Sequence, residues 1–168
     1  MAKAIINLLA LVGLCVAGYA LYIEIETVNA EKAGLSAPSF FCDSLFTGAS
    51  CSKAITGPYG KVLSLWGIVK KGSTFDVPNS LIGSIFYFFA ITPWNSNALV
   101  ADLFMLGGLL SLAFSAYLAY ILRFVLHEFC IICVSSYVIN ILLFIFSARE
   151  RMRMIKEEDL SKKARKVK

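Results

Sequence analysis

Charge is what this sequence has least of. Only 16% of its 168 residues are Asp, Glu, Lys or Arg, while 58% are apolar and the mean hydropathy is +0.74. Soluble domains carry roughly 25% charged and about 45–50% apolar residues, so an ordinary soluble fold is excluded and a membrane chain is implied. Histidine is nearly absent as well. With His127 alone, and with Cys42 and Cys51 nine residues apart rather than in a short pair, a zinc site lacks its ligand spacing and no metal is expected. No Asn-x-Ser/Thr site marks an outside face. Basic excess is missing from most of the chain: ahead of Arg149, seven Lys or Arg are matched by seven Asp or Glu. The whole net charge of +5 therefore lies in Arg149 to Lys168, with nine basic and four acidic residues.

What is present is hydrocarbon in four blocks. A helix crossing lipid needs about 20 mostly apolar residues with its backbone paired internally. Ala4 to Ile23 is uncharged throughout and is followed by Glu24 and Glu26 rather than a cleavage site, so it reads as a retained first span. Leu81 to Thr92 is shorter, bounded by Pro78 and Pro93. Ala98 to Leu126 is long enough to cross with tilt, and Phe129 to Ser147 follows after only His127 and Glu128. The expected fold is an all-α integral membrane protein, a four-transmembrane-helix bundle with a luminal cap loop. Its single domain covers 1–148, with spans 4–23, 81–92, 98–126 and 129–147 and the cap at 29–79. The basic tail, 149–168, is expected in the cytosol by the positive-inside rule, and with four spans the N-terminus joins it.

That topology sends Cys42, Cys51, Cys130 and Cys133 to one non-cytosolic face, while Cys15 stands apart in the first span. The cap is too long for a plain linker. A short helix near Lys61 to Val69 is expected in it, with Leu63, Trp66 and Val69 or Lys70 on one face against the membrane surface. At the start of the fourth span the sequence reads EFCIICVSSYVIN. On a helix Cys130, Cys133, Tyr137 and Asn140 follow at i+3, i+4 and i+3 and share one face. Free N–H groups and the dipole of a first turn favour a thiolate, so a Cys-x-x-Cys pair there suits redox chemistry. Two packed small hydrophobes, or two static disulfides, explain the same residues without chemistry. Gly107, Ser111, Ser115 and Ala119 form a small-residue stripe for close helix packing.

The segments CDSLFTGASCS with GPYG, PNSLIGSIFY and AYLAYILRFVLHEFCIICVSSYVIN, spanning about Leu8 to Leu143, resemble the vitamin K epoxide reductase family. The resemblance implies a four-helix bundle around a quinone pocket, with Cys130 and Cys133 as the redox pair. Cys133 would attack substrate and Cys130 would exchange with the loop. Cys42 and Cys51 would be a shuttle, Cys51 passing electrons to Cys130 and Cys42 meeting a thioredoxin-like luminal oxidoreductase. Asn79 and Tyr137 would hold the two oxygen-bearing ends of the ring, with Phe86 and Tyr87 as further candidates for lining it. The plainer readings are a helix cap for Asn79, an interhelical bond for Tyr137 and core packing for the other two.

Compared with vertebrate members, the loop from Cys42 to Cys51 is one residue longer, Gly57 stands for a Ser and Tyr59 for a Trp. No fused thioredoxin-like domain is expected, so an outside reductant or oxidant, a dithiol for the reductase reading, must be supplied. The implied activity is reduction of vitamin K epoxide or quinone in the endoplasmic-reticulum membrane, by a monomer with no permanently bound cofactor and no nucleic-acid partner. Two alternatives use the same sequence: a quinone-dependent oxidase that generates disulfides, and a non-enzymatic four-span protein. The final ARKVK loosely resembles a dilysine retrieval signal, beside the simpler reading of a lipid-attracted basic tail.

Overall fold

The computed structural model describes residues 2–36, 38, 40–44, 51–91 and 98–166. Within them the elements run α1 (Ala2–Lys32), α2 (Phe41–Ser44), α3 (Cys51–Thr56), α4 (Val62–Leu65), α5 (Asn79–Ile91), α6 (Ala98–Tyr120) with a π-helical turn at Ile121–Val125, and α7 (Ile131–Lys166). By length and composition α1, α6 with its π turn, and α7 can each cross a membrane, and α5 is a shorter apolar helix. Helix α1 packs on α5 and α7, and α7 packs on α6. The result is an all-α membrane bundle. Its outer surface is apolar, with Leu8, Leu11, Phe88, Leu99, Leu103 and Phe124 exposed, as suits a protein solvated by lipid.

The helices outrun their apolar segments. Glu24 and Glu26 close an apolar run, but nothing in Glu24 to Lys32 breaks a helix, so α1 continues for 31 residues. It stops at Gly34, where φ is +68°. Leu35 N–H donates to the Ala30 carbonyl at 2.9 Å and Gly34 N–H to that of Glu31 at 3.1 Å, a Schellman stop that favours a residue lacking Cβ. Helix α7 likewise runs past Ser147 through the basic tail as far as Lys166. Arg149 to Lys166 contains neither Gly nor Pro and consists mostly of strong helix formers. Its i,i+4 pairs Arg153–Glu157 at 3.1 Å and Glu158–Lys162 at 2.7 Å add local support.

The second apolar segment forms α5, whose first turn hangs from the Pro78 carbonyl, with Leu81 N–H at 3.1 Å and Ile82 N–H at 3.3 Å. Its 13 residues rise about 20 Å, well short of a hydrocarbon layer of roughly 30 Å. The TPWNSN connection, at residues 92–97, and Leu45 and Phe46 of the cap lie outside the described residues. The expected cap helix is a single turn, because Gly67 at φ +71° reverses the chain after α4. Trp66 nevertheless reaches α6. Its indole N–H donates to the Tyr117 hydroxyl at 3.3 Å, and its ring lies edge-on to Phe114 and Tyr117, at 6.0 and 5.3 Å between centroids.

The two ends of the bundle differ. At one, Arg151 grips Asp102 with two bonds of 2.8 and 2.9 Å, and Lys3 lies 4.0 Å from Glu150. At the other sit the cap helices α2, α3 and α4, with one apolar cluster beneath them and a second cluster deeper in the bundle.

Candidate active site

Cys130 stands immediately before α7 and caps it. Its carbonyl accepts the first helical bond, from Val134 N–H at 3.0 Å, and its Sγ accepts the Cys133 backbone N–H at 3.2 Å. The two sulfurs are joined as a disulfide with a Cα–Cα separation of 5.3 Å. A helix N-terminus offers unpaired N–H groups and the positive end of the macrodipole. Negative charge is thus stabilised where a thiolate is released when the bond opens.

The approach to Cys130 is a tight turn. Leu126 N–H bonds back to the Ile121 carbonyl at 2.9 Å to complete the π turn, and His127 takes φ +53°, uncommon for a residue with a Cβ. The chain thereby reverses within a few residues, setting Glu128 and Cys130 against the cap.

Cys42, Cys51 and Cys130 are 2%, 0% and 0% exposed and belong to one cluster with Ala20, Ile23, Ile55 and Leu122. Cys133 and Tyr137 pack against the same cluster. Two pairs of cysteines that are far apart in sequence, Cys42 with Cys51 and Cys130 with Cys133, therefore converge at the N-terminus of α7. Cys51 opens α3, whose buried face continues through Ile55. Lys53, on the same short helix, places its Nζ 3.4 Å from Glu128 Oε1.

Asn79 closes the other side of the cap. Its backbone N–H donates to the Gly60 carbonyl at 2.8 Å, its Nδ2 donates to the Tyr59 carbonyl at 2.8 Å, and its Oδ1 accepts Val62 N–H at 3.1 Å. The side chain expected at a quinone oxygen thus ties the GPYG loop to the first turn of α5, with one amide N–H still to offer. Gly60 allows this closeness, since a Cβ there would lie 2.0 Å from the Ile55 carbonyl oxygen. Nearby, Glu24 is buried and accepts the Ser80 hydroxyl at 3.2 Å. Asp76 accepts Gly72 N–H at 2.8 Å and lies 3.9 Å from Lys61. The Gly72 N–H, then the Ser64 hydroxyl, with Lys61 beside them, hold its carboxyl below the usual range.

Phe86 and Tyr87 lie in the deeper cluster, apart from the sulfurs. Phe86 stacks on Phe104 at 5.3 Å, and Tyr87, 2% exposed, presses its ring against Gly13, where a Cβ would be 2.5 Å away. The Tyr87 hydroxyl donates to Asn140 Oδ1 at 2.7 Å, and Asn140 Nδ2 donates to Ser115 Oγ at 2.9 Å. Tyr87, Ser115 and Asn140 come from α5, α6 and α7, and Gly13 of α1 makes room for the ring. The helical face shared by Asn140 and Tyr137 is readable from spacing. That its amide is occupied by two other helices is not.

Comparison with known proteins follows the same residues. The profile described as "Vitamin K epoxide reductase family" matches residues 4–148. The chain is similar to "Vitamin K epoxide reductase complex subunit 1" of Mus musculus, 35% identical over 141 residues that cover 80% of this chain and 84% of the relative. It is also similar to the protein of that name from Rattus norvegicus, 34% identical over 134 residues, 76% and 80% of the two chains.

Proposed function

This chain belongs to the vitamin K epoxide reductase family, and on that premise we propose that it reduces vitamin K epoxide, vitamin K quinone or both. The observation that supports this most directly is the gathering of Cys42, Cys51, Cys130 and Cys133 in one cluster at the start of α7. A Cys130/Cys133 dithiol supplies two electrons and two protons as it closes to a disulfide, converting an epoxide to quinone and water, or a quinone to hydroquinone. Cys133 is the sulfur that meets substrate. Tyr137, one helical turn along the same face, donates a hydrogen bond to the oxygen that gains charge. The remaining Asn79 N–H serves the other end of the ring.

Regeneration runs through the cap. A Cys51 thiolate attacks Cys130 Sγ, forming the Cys51–Cys130 disulfide and releasing Cys133 as thiolate. Cys42 then attacks Cys51, which frees Cys130 and leaves a Cys42–Cys51 disulfide. A thioredoxin-like luminal dithiol reduces that bond. The site faces the lumen of the endoplasmic reticulum in a four-span protein with both termini cytosolic. The test is turnover of vitamin K epoxide by the purified protein with dithiothreitol. Wild type is expected to form quinone and Cys133→Ala to form none; equal rates would remove the dithiol from the mechanism.

A further inference from the structure

We infer that Lys53 and Glu128 form a latch that positions Cys51 over Cys130. The inference rests on the relay proposed above and assigns it a pair of positioning residues. Cys51 and Cys42 are 0% and 2% exposed, so no soluble thiol reaches them while the cap is seated. A relay through them needs two arrangements, one with α3 down on the turn before Cys130 and one with it lifted.

The α3 segment is attached on both sides, and its buried face, Cys51 and Ile55, packs into the cysteine cluster. Beyond its C-terminal end, the Tyr59 to Val62 backbone is pinned to Asn79 by three bonds of 2.8 to 3.1 Å. At the end that carries Cys51, the ion pair of Lys53 with Glu128 reaches across to the α6–α7 turn at 3.4 Å. Its two members lie two residues after Cys51 and two before Cys130, so closing the pair brings the two sulfur-bearing segments together. Their side chains are 74% and 24% exposed. A pair so wetted is weak and sensitive to salt, so it biases α3 toward the seated arrangement without locking it. The geometry thus ties the edge of α3 that carries Cys51 to the turn that leads into Cys130.

Thiol trapping in the full-length protein, in liposomes, tests this. In a Cys42→Ala/Cys133→Ala background only Cys51 and Cys130 remain of the four, and diamide oxidises the two thiols to one disulfide while itself becoming the hydrazine. The rate of that cross-link reads how often the segments meet. Lys53→Glu and Glu128→Lys are each expected to slow it roughly two- to fivefold, and the combined swap to restore it. In the parent, raising salt from about 0.05 to about 0.5 M slows the cross-link, whereas Lys53→Gln removes that response. In chains that keep all cysteines, the charge reversals are expected to slow turnover driven by a protein dithiol and to spare turnover driven by dithiothreitol. Single reversals that cross-link at the parental rate, or a loss that the swap does not rescue, overturn the latch. A parent that never forms the Cys51–Cys130 disulfide overturns the relay and the latch with it. Normal cross-linking in every variant sinks the latch alone.

Discussion

Tyr137 packs against the cysteine cluster, and its hydroxyl makes no hydrogen bond among the described residues. Asn79, by contrast, spends both ends of its amide on the cap. The two residues therefore separate in their expected variants. On the proposed substrate contact, Tyr137→Phe removes one bond worth about 0.5–1.5 kcal/mol, and is expected to lower kcat/KM about two- to twelvefold at unchanged thermal stability. Asn79→Ala also strips two bonds from the cap, so it lowers the thermal midpoint and weakens protein-dithiol turnover as well. Steady-state kinetics and thermal unfolding of both variants in the same detergent check the contrast. Tyr137→Phe kinetics equal to wild type would leave the hydroxyl without a catalytic contact. The sequence makes the Cys130, Cys133 and Tyr137 face legible, because helical spacing is local. It hides the engagement of Asn79, whose partners are the backbone of Tyr59 and Val62, positioned by a loop.

At the scale of elements, hydropathy locates the apolar cores of the long helices but misses how far the helices extend. Charge ends a membrane span, whereas a helix ends where its backbone does. The stop at Gly34 and the unbroken stretch through Lys166 depend on propensity and capping, which hydropathy does not weigh. Likewise the cap helix is shorter than amphipathic spacing suggests, since Gly67 turns the chain. The second half of the cap depends on Asp76, which gathers Gly72 and Lys61 around one carboxylate. Its pKa is depressed in the folded state, so the stability it lends is fully present above the unfolded value of about 3.9 and is lost as pH falls through the lower folded value. Hydrogen exchange over residues 61–76 is thus expected to be steady from neutral pH to about pH 5, after correction for intrinsic rates, and to accelerate below about pH 4. Asp76→Asn should exchange faster at neutral pH and show little of that acid response. An unchanged pH profile in the variant would move the sensitivity elsewhere.

For the whole molecule, the deciding quantity is the asymmetry between its two ends. Lys3 and the nine basic residues of Arg149 to Lys168 make ten at the end held by Arg151–Asp102, against six at the cap end, namely Lys32, Lys53, Lys61, Lys70, Lys71 and Arg123. Two of those six are engaged locally, Lys53 with Glu128 and Lys61 with Asp76. Because positive residues beside apolar helices resist translocation, the end with ten is expected to stay in the cytosol. The cap and the four-cysteine cluster are then expected to face the lumen, the compartment in which disulfides form and exchange. Single cysteines placed at Thr74 and Ser161, in a background whose native cysteines are replaced, make this measurable, since both positions are exposed. A membrane-impermeant maleimide added to intact microsomes should label Ser161→Cys and spare Thr74→Cys until the membrane is opened. The reverse pattern would turn the molecule over and deny the cap its oxidising compartment. Labelling of both sites from one side would require an even number of crossings between them in place of the three expected from α5, α6 and α7, and that outcome breaks the relay to a luminal partner.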